Sequence, residues 1–287
     1  MGNYCFSGHE SFSCKSLWLK KGYDYLRQGG DFGAANAVVS LGVGKNMVAS
    51  IKYWMRVCGV LDNDMWLGHY LFDNFIGKDK YLEDIATLWL LHFNLVFRGE
   101  ATLYRYFFCR FQKERERFDK EQIINGVRHY MTEHGSLSQF NPNTVGKDVD
   151  VLLRNYVLPS KAQSNDDFST LFIDLDLLRT SENRREYYFN QEGKRVVPDE
   201  VFLYGLLLLQ EETGDNTIAC DTIMNRVALA FAMNNVEMTD TLMRLAERYP
   251  NLISYSDESG IRQIQFIEDI TSVVKERVLT DYYGTNV

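Results

Sequence analysis

The sequence is poor in proline and lacks paired cysteines. Only 4 prolines occur in 287 residues, and no stretch has the composition of a flexible linker. The cysteines are odd in number and scattered, and none belongs to a C-x-x-C pair. These residues are Cys5, Cys14, Cys58, Cys109 and Cys220. The sequence therefore indicates neither a disulfide framework nor a zinc site, and it favours small domains packed tightly together.

Long apolar runs and targeting features are also lacking. A membrane helix needs roughly 20 apolar residues, and the best apolar runs, near Leu88–Leu91 and Val201–Leu209, are too short or interrupted. The N-terminal segment has neither the basic region nor the apolar stretch of a signal peptide. Phe6 stands where a myristoylation motif needs Ser or Thr. We therefore expect a cytoplasmic protein that does not contact a membrane.

Motifs for nucleotide cofactors are incomplete. Gly42-Val43-Gly44-Lys45 resembles the end of a P-loop, but Asn46 follows the lysine and Val39 occupies the position of the first glycine. A P-loop needs Ser or Thr at the former position and Gly at the latter. No glycine-rich dinucleotide fingerprint follows a predicted strand. The sequence therefore predicts neither a bound cofactor nor a metal.

The charge is acidic overall but uneven along the chain. The net charge of −8 argues against a protein that coats nucleic acid indiscriminately. Residues 1–60 nevertheless hold seven basic and three acidic side chains, which gives them a net charge of +4. A basic N-terminal module on an acidic body suits a local contact with DNA combined with protein partners.

Residues 34–61 have the pattern of a helix-turn-helix. A first helix of small and apolar residues ends at Gly42-Val43-Gly44, which supplies a tight turn. A second helix then places Val48 and Ile51 on one buried face. Gly59-Val60-Leu61 predicts a short strand, from which a wing could begin.

The second helix of this pair is the predicted DNA-contacting element. A recognition helix presents its N-terminal residues to base edges, and the free N–H groups of its first turn suit a phosphate. Asn and Arg read bases, whereas Lys and Ser usually hold phosphate. The predicted contacts are Lys45, Asn46, Ser50, Tyr53 and Arg56, which we expect to face outward, with Lys20 and Lys21 on the DNA backbone. The same architecture also serves as a protein-interaction unit, and that alternative stays open.

The middle of the chain is predominantly helical by pattern. Apolar residues at helical spacing from 82 to 95 predict a buried helix at the centre of the fold. Residues 110–121 interleave opposite charges, which is typical of a solvated helix face. Asn141-Pro142-Asn143-Thr144 opens a further helix.

The remainder of the chain combines short strands with helices. A β-biased block after residue 170 predicts a hairpin whose turn contains Gly193. Helices at 221–233 and 238–248 then precede a second hairpin with its turn at Asp257-Glu258-Ser259-Gly260. This order is typical of a winged helix. Its predicted recognition helix is acidic, which favours a docking or dimerising role.

These patterns predict a mainly α fold in which winged-helix or helix-turn-helix-like units, with short β-hairpins, surround a helical core. The predicted domains are a basic N-terminal winged-helix-like domain at 1–75, a helical middle domain with a β-hairpin at 76–215, and a C-terminal winged-helix-like domain at 216–287.

Ser7-Gly8-His9-Glu10 is the one candidate catalytic cluster. An adjacent His and Glu can act in acid–base chemistry or hold a metal. However, S-x-x-E is also the pattern of a capping box at the start of a helix. We prefer the capping-box interpretation and keep catalysis by His9 and Glu10 as an alternative.

Several segments resemble, in order, the bacterial domain-of-unknown-function family 4007. These are FSGHESF (6–12), WLKKG (18–22), LGVGKNMVASIKYW (41–54), YLEDIATLWLLHF (81–93) and DVDVLLRNY (148–156). The chain departs from the family's pattern at Cys14-Lys15 and at Lys78-Asp79-Lys80. The resemblance implies a setting beside phosphoadenosine-phosphosulfate-reductase-like proteins in DNA phosphorothioation and phage-defence gene clusters. It supplies no catalytic residues.

The sequence and the resemblance together predict a non-enzymatic accessory subunit that positions a DNA-modification or restriction complex on double-stranded DNA. Other subunits of that complex are the expected partners, and a homodimer is left open. The alternatives are a protein-interaction adaptor that does not bind DNA directly and a transcriptional regulator of the defence cluster.

Overall fold

The computed structural model describes residues 4–159 and 170–284, and it confirms a mainly helical fold. The chain forms two compact units, Met1–Arg195 and Val196–Val287, which are described separately below. These units are defined by their internal contacts and do not show which segments fold independently. The predicted division into domains at residues 75 and 215 therefore stays a prediction. Among the described residues, no helix is long and apolar enough to cross a membrane.

The first unit is built from helices and one small antiparallel sheet. Its helices are α1 (Trp18–Arg27), α2 (Ala37–Leu41), α3 (Lys45–Val57), α4 (Trp66–Phe72), α5 (Ile85–Phe97), α6 (Thr102–Tyr106), α7 (Gln112–Glu114), α8 (Lys120–Glu133) and α9 (Pro142–Tyr156). A π-helical turn, Phe107–Phe111, joins α6 to α7, and short 3-10 turns lie at Leu137–Gln139 and Ile173–Leu175. Its strands are β1 (Arg117–Phe118), β2 (Leu178–Thr180) and β3 (Tyr187–Phe189), in the order β1-β3-β2.

Helix α5 lies at the centre of this unit, as the sequence predicts. Residues 86–96 are all buried. The helix starts at Asp84, whose side chain accepts a hydrogen bond from the N–H of Ala86 and so satisfies one of the free donors of the first turn. A helix that is apolar all round is stable only inside a protein. The other helices of the unit therefore form around it.

The start of α9 also matches the sequence prediction. Asn141 caps the helix by accepting from the N–H groups of Asn143 and Thr144, and Pro142 occupies the first turn, where its missing N–H costs nothing. Helix α8 has a full capping box between Asp119 and Gln122. Both starts are fixed by local sequence.

The strand predicted at Gly59-Val60-Leu61 is wrong. The described chain forms no strand between α3 and α4. Instead, Gly59 takes a left-handed conformation (φ +74°), and the N–H groups of Val60 and Leu61 both donate to the carbonyl of Met55. These bonds fold the segment back over the C-terminus of α3, so no wing begins there.

The hairpin of the first unit turns elsewhere than predicted. Strands β2 and β3 pair antiparallel from Leu178↔Phe189 to Thr180↔Tyr187, and residues 181–186 form the turn. Gly193 lies beyond the sheet, where an added Cβ would come within 2.6 Å of Oδ1 of Asn190. This glycine serves a close packing contact rather than the predicted turn.

The second unit contains four helices and a three-stranded sheet within its described residues. Its elements are α10 (Asp199–Thr213), β4 (Thr217–Ala219), α11 (Cys220–Arg226), a 3-10 turn (Ala228–Phe231), α12 (Asn235–Arg248), β5 (Ile253–Glu258), β6 (Ile261–Phe266) and α13 (Ser272–Tyr283). The strand order is β4-β6-β5.

The hairpin β5–β6 confirms the turn predicted at residues 257–260. Its pairing runs from Ile253↔Phe266 to Glu258↔Ile261. The two linking residues, Ser259 and Gly260, have φ values of +54° and +82°. Two positive φ values match the right-handed twist of the strands, which is why a short Gly-containing turn suffices.

We predict opposite stability effects for two helical glycines. Gly22 in α1 faces α3, where an added Cβ would clash with Sδ of Met55 and lie 2.9 Å from Cγ2 of Ile51. Gly146 in α9 has room, because an added Cβ would lie 3.7 Å from Cδ1 of Ile124. Gly22→Ala should lower the free energy of unfolding by about 1–3 kcal/mol. Gly146→Ala should raise it by about 1 kcal/mol because alanine is the better helix former.

Urea unfolding of both variants measures these changes. The same sign of effect in both variants would contradict the packing described for α1 against α3.

Candidate nucleic-acid interface

Helices α2 and α3 are joined by the glycine turn seen in the sequence. Gly42 ends α2 in the left-handed conformation (φ +62°), and Gly44 precedes α3 in an extended conformation. Beneath the turn, Ala37, Leu41 and Val48 form a small apolar cluster. The partly buried side chains packed against this cluster are Tyr25, Phe32, Val38 and Val43. Val43 thus packs against the apolar cluster below the turn.

The N-terminal turn of α3 is open. Gly44 provides no side-chain cap, so the first N–H groups of the helix have no side-chain acceptor. Lys45 and Asn46 are exposed there. Further along the same helix, Lys52 and Arg56 are also exposed. These four side chains define what we term the α3 strip.

Two residues predicted to face outward do not. Ser50 is fully buried, and its hydroxyl donates to the carbonyl of His9 at 2.9 Å. Tyr53 is also buried, with its ring against Gly8, where an added Cβ would lie 2.6 Å from Cδ2 of Tyr53. Burial raises the pKa of Tyr53 well above its usual value. The prediction that Ser50 and Tyr53 face outward is therefore wrong, because a second side of α3 packs against the N-terminal loop.

Of the remaining predicted contacts, Arg56 belongs to the strip, and Lys20 and Lys21 lie on α1. Arg56 pairs with Glu100 at 3.1 Å, near the C-terminal end of α3. Lys20 is mostly covered and pairs with Asp24 on its own helix. Lys21 is exposed and donates to the carbonyl of Leu41 at 3.2 Å, next to the glycine turn. Thus Lys21 lies beside the open end of α3, whereas the charge of Lys20 is compensated within α1.

The predicted capping box at Ser7 and Glu10 is wrong. Residues 7–14 form no helix, and α1 begins only at Trp18. Instead, Ser7, Glu10 and Ser11 have φ values of +68°, +47° and +66°. Non-glycine residues avoid this region, and each costs of order 1–3 kcal/mol unless the surrounding structure holds it. The segment is therefore a strained loop that long-range contacts must hold.

A buried histidine–aspartate pair holds that loop. Nε2 of His9 lies 3.0 Å from Oδ1 of Asp148 in α9, and both side chains are buried. The N–H of Ser11 donates to Nδ1 of His9 at 3.1 Å, so the ring proton lies on Nε2 and points to the carboxylate. The second carboxylate oxygen accepts from the N–H of Ser7 at 2.8 Å.

Further bonds tie the same loop to α3 and α9. Nε1 of Trp54 donates to the carbonyl of Phe12 at 3.1 Å. Oδ1 of Asn155 accepts from the N–H of Cys14 at 2.9 Å, and its amide nitrogen donates to the hydroxyl of Tyr104. The loop thus bridges the two helices through buried polar groups that are all paired.

This geometry assigns His9 a positioning task. Both of its ring nitrogens are engaged by protein groups, and the Ser50 hydroxyl points to its main-chain carbonyl rather than to the ring. Glu10 is exposed and has no part in the network. The sequence patterns described above do not identify Asp148 and Asn155 as partners of the loop. The signal that could have found them is their place in the segment DVDVLLRNY.

The chain belongs to a family described as "Protein of unknown function (DUF4007)", whose model matches residues 6–283. The resemblance noted in the sequence is thereby confirmed. No curated protein matches the chain.

Two solved structures share the fold. A magnesium ion-bound SspB crystal structure is 24% identical with a TM-score of 0.83, and an SspB crystal structure is 23% identical with a TM-score of 0.81. Each match covers 98% of this chain and 88% of the other.

We predict that His9→Ala destabilises the protein whereas Glu10→Ala does not. Removing the imidazole takes the side-chain donor away from the buried Asp148 carboxylate, and leaving a buried charged group unsatisfied costs about 3 kcal/mol. Truncating an exposed side chain without partners changes stability by no more than about 0.5 kcal/mol. Chemical unfolding measures both. Equal losses in the two variants would contradict the positioning role of His9.

Proposed function

We propose that this protein is a non-catalytic, DNA-contacting subunit of a bacterial DNA-modification or phage-defence complex of the phosphorothioation type. In this proposal, α2 and α3 act as a helix-turn-helix whose open N-terminal turn meets double-stranded DNA. The observation that carries the proposal is the glycine turn followed by an exposed, uncapped helix start with Lys45 and Asn46 on it.

The first turn of α3 is suited to a phosphate group. Unpaired N–H groups and the positive end of the helix dipole favour a phosphate there. Lys45 adds a full positive charge, and the amide of Asn46 can bond two atoms of an adenine edge. Lys21 lies beside the same turn. The DNA contacts we propose are therefore Lys45, Asn46 and Lys21, with Lys52 and Arg56 further along the strip.

Arg56 lies near the opposite end of α3 from Lys45 and Asn46. A helix rises about 1.5 Å per residue, so Lys45 and Arg56 are roughly 16 Å apart along the helix axis. In our proposal Arg56 contacts a neighbouring part of the DNA backbone after releasing Glu100. In this proposal Ser50 and Tyr53 do not contact DNA directly. They pack α3 against the N-terminal loop.

The family context supports the setting. The resemblance to family 4007 implies phosphorothioation and phage-defence gene clusters, and the SspB fold match agrees with membership in such a system. In this setting the protein is cytoplasmic, and its partners are other subunits of the complex. Chemistry on DNA is then carried out by those subunits.

One of the two SspB structures is bound to a magnesium ion. In the described part of this chain, no group of three His, Cys, Asp or Glu side chains comes together to hold a metal. The proposal includes no step through a metal ion.

The second unit adds a winged-helix-like element to the proposal. We interpret its order α10, β4, α11, α12, β5, β6 as a winged-helix-like unit in which β5–β6 serves as the wing. On α12, the exposed apolar side chains of Val236 and Met243 lie seven residues apart, with the acidic Asp240 between them. An apolar face with acidic residues suits a protein partner better than DNA.

We predict that the double variant Lys45→Ala/Asn46→Ala binds duplex DNA at least about tenfold more weakly than wild type. Loss of one charged phosphate contact and one base contact accounts for this factor. The measurement is fluorescence anisotropy with a labelled duplex at about 50–200 mM salt, a range over which protein–DNA affinities change strongly. The slope of log K against log salt should also become shallower.

Lys147→Ala is the matched control for charge, because Lys147 is exposed on α9. It should bind DNA as wild type does. The proposal of a specific contact at α3 would be contradicted if the wild type did not bind DNA at low salt, or if the control lost as much affinity as the double variant.

A protein-interaction adaptor is the second candidate, favoured by the face of α12. We predict that Val236→Lys/Met243→Lys abolishes co-purification with a co-expressed protein from the same gene cluster. Asn235→Lys, which adds charge at an exposed neighbouring position, should retain it. If both variants still bind the partner, this face is not the interface.

A further inference from the structure

A cavity of about 740 Å³ lies in the first unit beside the N-terminal loop. Its wall combines loop residues 11–15, Met47 of α3, the C-terminal end of α9 and two residues near the β2–β3 hairpin. Pro159 and Thr170 line it on either side of residues 160–169, which lie outside the described part of the chain. Pockets of this size hold ligands of several hundred daltons.

The described residues of the cavity wall include two arginines, Arg154 and Arg184, and one carboxylate, that of Asp150. Oδ1 of Asp150 already pairs with Nζ of Lys120 at 2.6 Å. Among the described lining residues, the two guanidinium groups therefore outnumber the carboxylate on a protein whose net charge is −8, and they favour an anionic ligand.

Neutral oxygens hold the two guanidinium groups in place. Arg154 donates to the carbonyls of Ser11 at 2.8 Å and Asp150 at 3.2 Å, and Arg184 donates to the carbonyl of Leu158 at 2.7 Å. Carbonyl acceptors orient a guanidinium without cancelling its charge. Because each group has five N–H donors, both retain donors for a phosphate.

The same cavity has an aromatic and apolar side. Phe12, Met47, Leu153 and Tyr187 line it. The ring of Phe12 packs edge-on against Trp18, and the ring of Tyr187 stacks on Phe118 with centroids 6.1 Å apart. Both rings are half-buried, and each packs against one of these neighbouring aromatic rings. A flat ligand group can therefore stack on a preformed surface.

We propose that this cavity binds one nucleotide, with its phosphate on Arg154 and Arg184 and its base against the aromatic side. An inorganic anion would leave the aromatic side unused, and an apolar ligand would leave the remaining donors of Arg154 and Arg184 unused. The nucleotide is either free or the unpaired unit of a DNA strand, since both present the same phosphate and base.

This inference goes beyond the duplex contact proposed for α3. Met47 belongs to both places, because it follows Lys45 and Asn46 on α3 and lines the cavity. A DNA strand that leaves the open end of α3 therefore finds the cavity next to it. The two sites remain separable by mutation, since Arg154 and Arg184 lie outside α3.

The test compares three ligands on the full chain: a single-stranded oligonucleotide, free deoxyadenosine monophosphate and an intact duplex. The variants are Arg154→Gln and Arg184→Gln. Each should bind the single strand or the free nucleotide about tenfold more weakly than wild type, since one charge-assisted bond is worth a factor of this order. Arg185→Gln, which changes an exposed arginine outside the cavity wall, should bind as wild type does.

The three ligands separate the sources of the nucleotide. Tight binding of the monophosphate identifies a free nucleotide, whereas binding of the oligonucleotide alone identifies a DNA strand. Wild-type affinity in both cavity variants, or an equal loss in Arg185→Gln, overturns the proposal. Arg154→Gln loses a contact with the loop, so circular dichroism is used to verify that this variant is folded. If it is not folded, Arg184→Gln alone tests the proposal.

The intact duplex separates this inference from the proposed function. If the duplex binds through Lys45 and Asn46 but the cavity variants retain the single strand, the cavity proposal alone fails. If the duplex does not bind and the single strand still depends on Arg154 and Arg184, the α3 proposal alone fails.

Discussion

The contact between the His9 ring and the Asp148 carboxylate joins the beginning of the first unit to a helix 139 residues later. It closes a loop in which three non-glycine residues have left-handed backbone conformations. Such a conformation persists only where several bonds oppose its relaxation. Here Asp148 takes both the imidazole and the N–H of Ser7, so one carboxylate holds two points of the loop.

The clamped loop determines what α3 can offer to a ligand. Ser50, Tyr53 and Trp54 face the loop, while Val48 and Ile51 face the apolar core. With two sides buried, the helix presents one narrow strip, and that strip carries basic and amide side chains. The same loop forms part of the cavity wall. The strip and the cavity therefore share one support, and a change in the loop affects both.

Much of the helical framework followed from local sequence, whereas the site did not. The centre of the fold at α5, the cap at Asn141 and the hairpin turn at Ser259-Gly260 depend on neighbours within a few residues. The orientation of Ser50 and Tyr53 depends on a loop 40 residues away, which helical periodicity cannot report. Likewise, S-x-x-E indicated a capping box because its pattern is local, but Asp148 decides the conformation.

The dependence of the loop on α9 has a consequence for synthesis on the ribosome. Residues 7–14 leave the exit tunnel long before Asp148 and Asn155, their partners in α9. At roughly 5–20 residues per second, the 139 residues between His9 and Asp148 correspond to a delay of roughly 7–28 seconds. During that interval the residues of α9 that hold the loop are not yet available. The side of α3 that carries Tyr53 and Trp54 therefore acquires its complete native contacts only after α9 has emerged.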